Sequence, residues 1–294
     1  MDATVKKILV TGGTGFLGNA LNKILLSNDY AVVMYTSKKS RLDRVSNYKS
    51  KVEILFREEF SPEEVLCNSG IQTIVHNATC FGRSGESDFE VFQTNLDYSI
   101  QLFEGGIKNG IRWFFNSDTS LPKNINAYSL SKSKFKEYVR NRVYAIDLNV
   151  INVTLESIYG PGDDSTKFIT WFMNQCKRNV SKIDLTGGDQ KRDFIYIDDA
   201  ALAYFMILHS KDKFKSRYEN INIGSGQSHS IREICELIKK ITLSTSHLNF
   251  GKFPYRDNEI MLSVADIRRL KDFGFQLETK LENGLRKMME LDFI

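Results

Sequence analysis

The stretch that most constrains this chain runs from Lys7 to Leu26, KILVTGGTGFLGNALNKILL. It opens on a short apolar run, Ile8-Leu9-Val10, and passes through Thr11-Gly12-Gly13-Thr14-Gly15-Phe16-Leu17-Gly18. Apolar residues at helical spacing follow, through Leu17, Leu21, Ile24 and Leu25. Strand, glycine turn, helix is the order that lets a backbone wrap a dinucleotide pyrophosphate. Gly12, Gly15 and Gly18 divide the work. One turns the chain off the strand, one removes the Cβ that would block a phosphate, and one lets the helix pack close. The helix N-terminus then offers unpaired N–H groups and a partial positive charge. The turn assigns Gly12, Thr14, Gly15, Phe16, Leu17 and Gly18 to cofactor binding. A glycine-rich turn in an unrelated α/β protein is the competing reading, and the position of the triplet weighs against it.

The rest of the chain narrows the class. Its 294 residues allow one large domain or a main domain with a smaller lobe. Apolar residues at 41% and charged residues at 26% give ample core. The net charge, 40 − 36 = +4, is mild. With no basic-aromatic stripe it argues against a nucleic-acid partner and suits an anionic substrate. Met1 to Val5 carries no signal-like segment and no apolar run is long enough to cross a bilayer, so the chain reads as cytoplasmic with no membrane partner. Cys67, Cys80, Cys176 and Cys235 form no CxxC pair and read as reduced thiols. His76, His209, His229 and His247 do not cluster with them, so no metal is expected.

Tyr30 to Tyr35 reads as the second strand. An NAD-selective site usually has an acid just after it, to accept hydrogen bonds from the adenosine ribose. Here Thr36-Ser37-Lys38-Lys39-Ser40-Arg41 stand instead. Hydroxyls and cations welcome a 2′-phosphate, so Thr36, Ser37 and Lys38 point to NADPH over NADH, with a solvated basic turn as the alternative. Glu58 and Glu59, after a third strand over Lys51 to Phe56, could meet the adenine edge or be surface acids. A fourth strand, Ile71 to Val75, leads into His76-Asn77-Ala78-Thr79-Cys80-Phe81-Gly82-Arg83. Small residues at the carboxyl end of a central strand place Ala78 beside the cofactor. Arg83 is a candidate substrate contact or an ordinary surface arginine. Phe89 to Lys108 has the spacing of one helix, and Ile111 to Phe115 is the fifth strand.

Ala127-Tyr128-Ser129-Leu130-Ser131-Lys132 begins a long helix. Residues four apart share a face, so Tyr128 and Lys132 project together. A nearby ammonium is expected to lower the tyrosine pKa toward neutrality and make Tyr128 a usable acid/base.

Thr11-Gly12-x-x-Gly15-x-x-Gly18, Thr119 and Tyr128-x-x-x-Lys132 together resemble the extended short-chain dehydrogenase/reductases, in their sugar-nucleotide epimerase/dehydratase/reductase branch. Ile158-Tyr159-Gly160-Pro161-Gly162, Lys191 to Asp199 (KRDFIYIDD), Asn222-Ile223-Gly224-Ser225-Gly226 and Ser263 to Leu270 resemble later motifs of that branch. The resemblance implies an α/β fold, a Rossmann-type doubly wound parallel sheet with a smaller C-terminal substrate-binding lobe. Residues 1–155 would form the NAD(P)-binding domain, also receiving roughly 193–226, and 156–294 mainly the nucleotide-sugar lobe. It also implies catalytic roles for Thr119, Tyr128 and Lys132, with Ser117 second to Thr119. Substrate contacts fall to Arg83, Thr119, Ser120, Arg192 and Arg256. Arg192 and Arg256 would meet the substrate diphosphate, or else make structural salt bridges. Asp193, Asp198 and Asp199 read as structural or capping acids. A homodimer through the Tyr128 helix and the Phe89–Lys108 helix is also implied.

Three outcomes share this machinery. Dehydratases of the family carry an Asp-Glu pair after the catalytic Thr, and Ser120-Leu121 stand there instead. Epimerases keep a trapped cofactor, usually NAD, whereas the turn after the second strand favours a released NADPH. The connection from Thr119 to Tyr128 is short, and Ala127 stands where proline is frequent. With Ala78 to Arg83, Thr119 to Pro122 and Asn258 to Met261, these departures are most similar to the CDP-paratose/CDP-abequose synthases. Those enzymes reduce the C4 ketone of a CDP-4-keto-3,6-dideoxyhexose for O-antigen synthesis. The alternatives are an NAD-dependent nucleotide-sugar 4-epimerase and a silent NADP-binding regulator. The intact Tyr128/Lys132 pair opposes the latter.

Overall fold

The structure is a computed structural model that describes residues 6–292. The reading of Met1 to Val5 lies outside those residues. The described residues form two compact units, one of those up to Thr154 with Ala201–Ile221, the other of Leu155–Ala200 with those from Asn222 onward.

The first unit begins β1 (Lys6–Thr11), α1 (Phe16–Ser27), β2 (Tyr30–Thr36) and β3 (Glu53–Phe56), with a 3-10 segment over Asp43–Lys51 before β3. It continues α2 (Pro62–Leu66), β4 (Thr73–His76), α3 (Asp88–Phe92), α4 (Tyr98–Lys108), β5 (Trp113–Thr119), α5 (Ala127–Arg142) and β6 (Asn149–Leu155). Ile8, Leu9 and Val10 are all buried, as are Phe114 and Phe115. A strand that is apolar on both sides belongs in a parallel sheet covered on both faces. On one face Leu9, Ile74 and Phe114 pack with Phe103 of α4 and Phe135 of α5. The Phe103 and Phe114 rings meet edge to face at 5.3 Å. Successive strand residues point oppositely, so Phe115 turns to the other face and meets Tyr204 at 6.4 Å between ring centroids.

The second unit carries β7 (Ser157–Tyr159), α6 (Phe168–Lys177), β8 (Lys182–Asp184) and β9 (Lys191–Tyr196). α7 (Ile197–His209) returns the chain to the first unit, where β10 (Tyr218–Ile223) completes the sheet. β11 (Ser228–Ser230), α8 (Ile231–Ile241), β12 (His247–Asn249), α9 (Arg268–Lys271) and α10 (Leu281–Asp292) follow in the second unit. α8 buries Ile231, Ile234, Cys235, Ile238 and Ile241 at helical spacing, and Ser230 with Glu233 closes a capping box at its start. Asp193 is fully buried and accepts from the Ser225, Gly226 and Ala265 amides at 2.8–3.1 Å. Asp199 accepts from the Glu278 and Thr279 amides. Both acids pin loops, as their structural reading requires.

The seven-stranded sheet has the order β10-β6-β5-β4-β1-β2-β3, with β1–β2, β2–β3, β1–β4 and β4–β5 parallel. This is the doubly wound Rossmann-type order. It reverses between β1 and β4, so the loops leaving those strands part there and leave a crevice at their carboxyl ends.

The helix expected over Phe89 to Lys108 is present, with one departure. Phe89 to Lys108 is not a single continuous α-helix, because a π-helical turn over Gln93–Asp97 separates α3 from α4. Asn95 lies in that turn. Its Oδ1 accepts from the Cys80 amide at 2.8 Å and its Nδ2 donates to the Cys80 carbonyl at 2.8 Å and to Ser131 Oγ at 3.2 Å. The widened turn lets one buried amide hold the loop after β4 against α5.

Candidate active site

The glycine turn leaves β1 at the crevice. Gly12 has φ +63°, and a Cβ there would come within 2.6 Å of the Ala78 amide nitrogen. A Cβ on Gly18 would collide with the Gly12 carbonyl. These two glycines seat the turn against the β4 loop and α1 against the turn. Gly15 differs, since a Cβ there would meet only the Gly12 carbonyl, at 3.0 Å. It is also the N-cap of α1, where no side chain caps the helix and no acid occupies the first turn. A backbone without Cβ at an uncapped helix start fits a pyrophosphate. Thr14, Phe16 and Leu17 lie on the same turn, and the Ala78 amide lies against Gly12.

The turn after β2 is less basic than its sequence. Thr36 pairs with Phe56 in the β2–β3 ladder, so the residues just beyond each strand are neighbours. Ser37 Oγ donates to Glu58 Oε1 at 2.5 Å and the Lys38 amide to Glu58 Oε2 at 2.9 Å. Lys38 Nζ lies 2.7 Å from Glu59 Oε1. The Ser37 hydroxyl holds the Glu58 carboxyl down at about 2, against the weaker opposing effect of burial. The absence of an acid, read locally, is corrected by β3.

At the end of β5, Thr119 and Tyr128 share a hydrogen bond. Asn126 caps α5 by accepting from the Ser129 amide at 2.9 Å, which sets the register of the first turn. Lys132, one turn beyond Tyr128, is 2% exposed and donates through Nζ to the Ser117 carbonyl at 2.9 Å. Burial pushes its ammonium down to about 8, against the pull of Asp118.

The tyrosine does not behave as expected. Burial pushes the Tyr128 phenol up to about 12. The Thr119 bond opposes this, the Asp118 charge adds to it, and Arg83 weakly opposes. Desolvation of the phenolate outweighs the charges nearby, and Lys132 addresses a carbonyl. Ser117 Oγ is committed to Asn77 Oδ1 and to Tyr204 at 3.2 Å, while the phenol is bonded to Thr119. Ser120 follows Thr119 on the half-buried turn. Phe81 lies against the Tyr128 ring at 5.0 Å, with the Arg83 guanidinium 5.6 Å from the Phe81 ring.

Two supports escaped the sequence reading. Asp118, 4% exposed, accepts from Lys136 Nζ and Asn152 Nδ2, both at 2.9 Å, and from the Thr119 amide at 2.8 Å. His76 joins Thr11 Oγ1 and Ser99 Oγ, each at 2.8 Å. Ser99 donates its own proton to the Asn95 carbonyl, so it accepts from His76 Nε2–H, and Nδ1 accepts from Thr11. Burial, then the Lys132 charge, keeps the imidazole neutral. The available signal was a polar residue inside each buried run, TIVH and WFFNSDT.

In the second unit Arg192 is 2.5 Å from Glu259 Oε1 and bonds the Lys191 and Ile260 carbonyls. The salt-bridge alternative holds for it in this conformation. Arg256 is exposed. Among the described residues no helix is long and apolar enough to cross a membrane, and no three potential metal ligands are grouped.

Residues 8–224 match the family described as NAD dependent epimerase/dehydratase. A CDP-abequose synthase of Salmonella muenchen is 33% identical over 297 residues, 97% of this chain and 98% of that protein. Among solved structures, the UDP-N-acetylglucosamine 4-epimerase of Methanobrevibacter ruminantium in complex with UDP-N-acetylmuramic acid superposes with TM-score 0.83 at 22% identity, covering 98% of both chains. The Thermus thermophilus UDP-glucose 4-epimerase complex with NAD gives 0.80 at 19%, covering 97% of this chain and 98% of that one. Those two likenesses speak to the fold.

Proposed function

The chain belongs to the NAD dependent epimerase/dehydratase family, and from that premise we propose that it reduces the C4 ketone of a CDP-4-keto-3,6-dideoxyhexose with NADPH. The product would be a CDP-3,6-dideoxyhexose, abequose or paratose, made in the cytoplasm for O-antigen. The observation that carries this reading is the Thr119–Tyr128 hydrogen bond beside buried Lys132. It occurs in a chain one-third identical to a CDP-abequose synthase over nearly its whole length.

NADPH, when bound, supplies the hydride that goes to the carbonyl carbon. Tyr128 gives its phenolic proton to the carbonyl oxygen. A pKa of about 12 keeps that proton on the phenol at neutral pH, the state from which a reduction starts, whereas an oxidation starts from phenolate. The Thr119 hydroxyl bonds the same oxygen and orients it. Lys132 Nζ holds the nicotinamide ribose. The Gly12–Gly18 turn and the start of α1 hold the pyrophosphate, with Ala78 alongside and Thr36, Ser37 and Lys38 at the adenosine ribose. Ser120 and Arg83 line the sugar. Arg256 would meet the nucleotide diphosphate, with Arg192 joining once it exchanges Glu259 for phosphate oxygens. Two copies pair through α3, α4 and α5.

A 4-epimerase using NAD is the second reading, favoured by the two acids at the turn after β2. Stoichiometry separates the two. Purified protein mixed with NADPH and the CDP-4-keto sugar should lose one NADPH per sugar reduced. Tightly held NAD with interconversion of sugar epimers and no net NADPH loss would replace this reading with the epimerase.

A further inference from the structure

A carboxylate sits on the donors that would distinguish the two nicotinamide dinucleotides. The turn after the second strand of such a fold reads the adenosine ribose. Among the donors of this turn, the Ser37 hydroxyl and the Lys38 amide are both spent on Glu58. The Lys38 ammonium is spent on Glu59, and the Arg57 guanidinium stands 3.6 Å from the Glu58 carboxylate. Lys38 and Arg57 against Glu58 and Glu59 leave these four side chains neutral in sum. Glu58 reaches the turn because Thr36 and Phe56 are paired, so it plays from β3 the part an acid at the end of β2 plays elsewhere.

We propose that Glu58 sets the cofactor preference of this site, by occupying the hydrogen-bond donors that a 2′-phosphate would need. The inference rests on the reading of the glycine turn as a dinucleotide site. A ribose diol is uncharged and its hydroxyls donate to a carboxylate, so Glu58 accommodates it in place. A 2′-phosphate is anionic and only accepts, so it gains Ser37 and Lys38 only when Glu58 leaves them. Glu58 is 37% exposed, so it has solvent to move into, and the barrier to NADPH is a penalty rather than a block. Glu59 touches the Lys38 ammonium, and its removal leaves both of these donors engaged. The two acids therefore differ in a measurable way, although they carry the same charge on adjacent residues.

The test uses 2′,5′-ADP and 5′-AMP as probes, which isolate the 2′-phosphate and need no turnover. Calorimetric Kd values are measured for the full chain, Glu58→Gln and Glu59→Gln, with NADPH and NADH titrated in parallel. Glu58→Gln is expected to tighten 2′,5′-ADP by about tenfold while 5′-AMP changes by less than about twofold. Glu59→Gln is expected to shift the ratio of the two by less than about threefold. A ratio unmoved in Glu58→Gln overturns the proposal, and so does an equal shift in both variants, which would mean that only total charge matters. Should the ratio move while the wild-type chain reduces sugar with NADH alone, Glu58 keeps its role and the NADPH clause of the functional reading falls. Should NADPH be consumed one per sugar with the ratio unmoved, the functional reading stands and Glu58 loses its role. If neither probe binds any of the three proteins, both fall together.

Discussion

Asp118 and Glu58 are both carboxylates that gather hydrogen bonds beside the proposed cofactor crevice, one buried and one open to water. Asp118 is 4% exposed and bonds Lys136 Nζ, Asn152 Nδ2 and the Thr119 amide. Glu58 bonds Ser37 Oγ and the Lys38 amide from a side chain open to solvent. In the buried cluster every partner is fixed, and charges act on neighbouring groups across little water. At the exposed turn the bonds are as short, but water and salt compete for each of them. The proposed chemistry then falls where charges cannot move, and the proposed cofactor choice where they can.

The largest effect expected is on the chemistry itself. Tyr128→Phe removes the phenolic proton and leaves the ring against Phe81, so kcat should fall by about 10²–10⁴-fold with the unfolding midpoint little changed. A variant that keeps wild-type kcat would break the buried half of the comparison, because the proton would then come from a group outside the Thr119–Tyr128 bond. Next comes Asp118→Asn. It leaves Lys136 without its carboxylate and removes a negative charge that helps Lys132 stay protonated. Urea denaturation should show a loss of about 2 kcal/mol, below the usual figure for a fully buried pair because Lys136 is 32% exposed.

Lys132 gives a pH signature. Its pKa is about 8 in the folded chain, where 10.5 is the ordinary value. Below pH 8 both states hold the proton and folding carries the full desolvation penalty. Between pH 8 and 10.5 the folded chain releases the proton while the unfolded chain keeps it, so this residue's contribution to stability rises with pH. Wild type should therefore gain on Lys132→Met by about 3 kcal/mol between about pH 7 and 10.5, measured by urea titration of both at each pH. Parallel curves would mean that the ammonium is better solvated than its burial implies.

What was legible in the sequence was what is local. The glycine turn and the Tyr128/Lys132 pair lie within single elements, and a period of about 3.6 or one strand-to-helix turn fixes their geometry. The π-helical turn within the helix expected over Phe89 to Lys108 was hidden because it serves partners outside that helix, Cys80 and Ser131. The acid facing Ser37 and Lys38 was hidden for a related reason. Glu58 lies 21 residues from Ser37, and only the pairing of Thr36 with Phe56 brings the two together. Arg192 and Glu259, 67 residues apart, are hidden in the same way. The Tyr128 pKa was misjudged because a helical wheel shows that Lys132 shares a face but not that its Nζ addresses the Ser117 carbonyl, nor how little water remains.

The smallest effect expected is at the exposed turn, and it isolates burial from distance. Lys38 Nζ is 2.7 Å from Glu59, closer than the 2.9 Å between Lys136 and Asp118. If separation ruled, Lys38→Ala would be the more damaging change. Attraction in water at this range is about a quarter of that at the effective dielectric of a partly buried pair, and holding two long side chains together offsets much of what remains. Lys38→Ala should therefore leave Tm within about 1 °C of wild type, and salt up to about 0.5 M, roughly three times physiological ionic strength, should not separate the two melting curves. A drop comparable to that of Asp118→Asn would mean that the turn is shielded from solvent as the β5 site is. Glu58 would then be a fixed part of the site rather than a displaceable one.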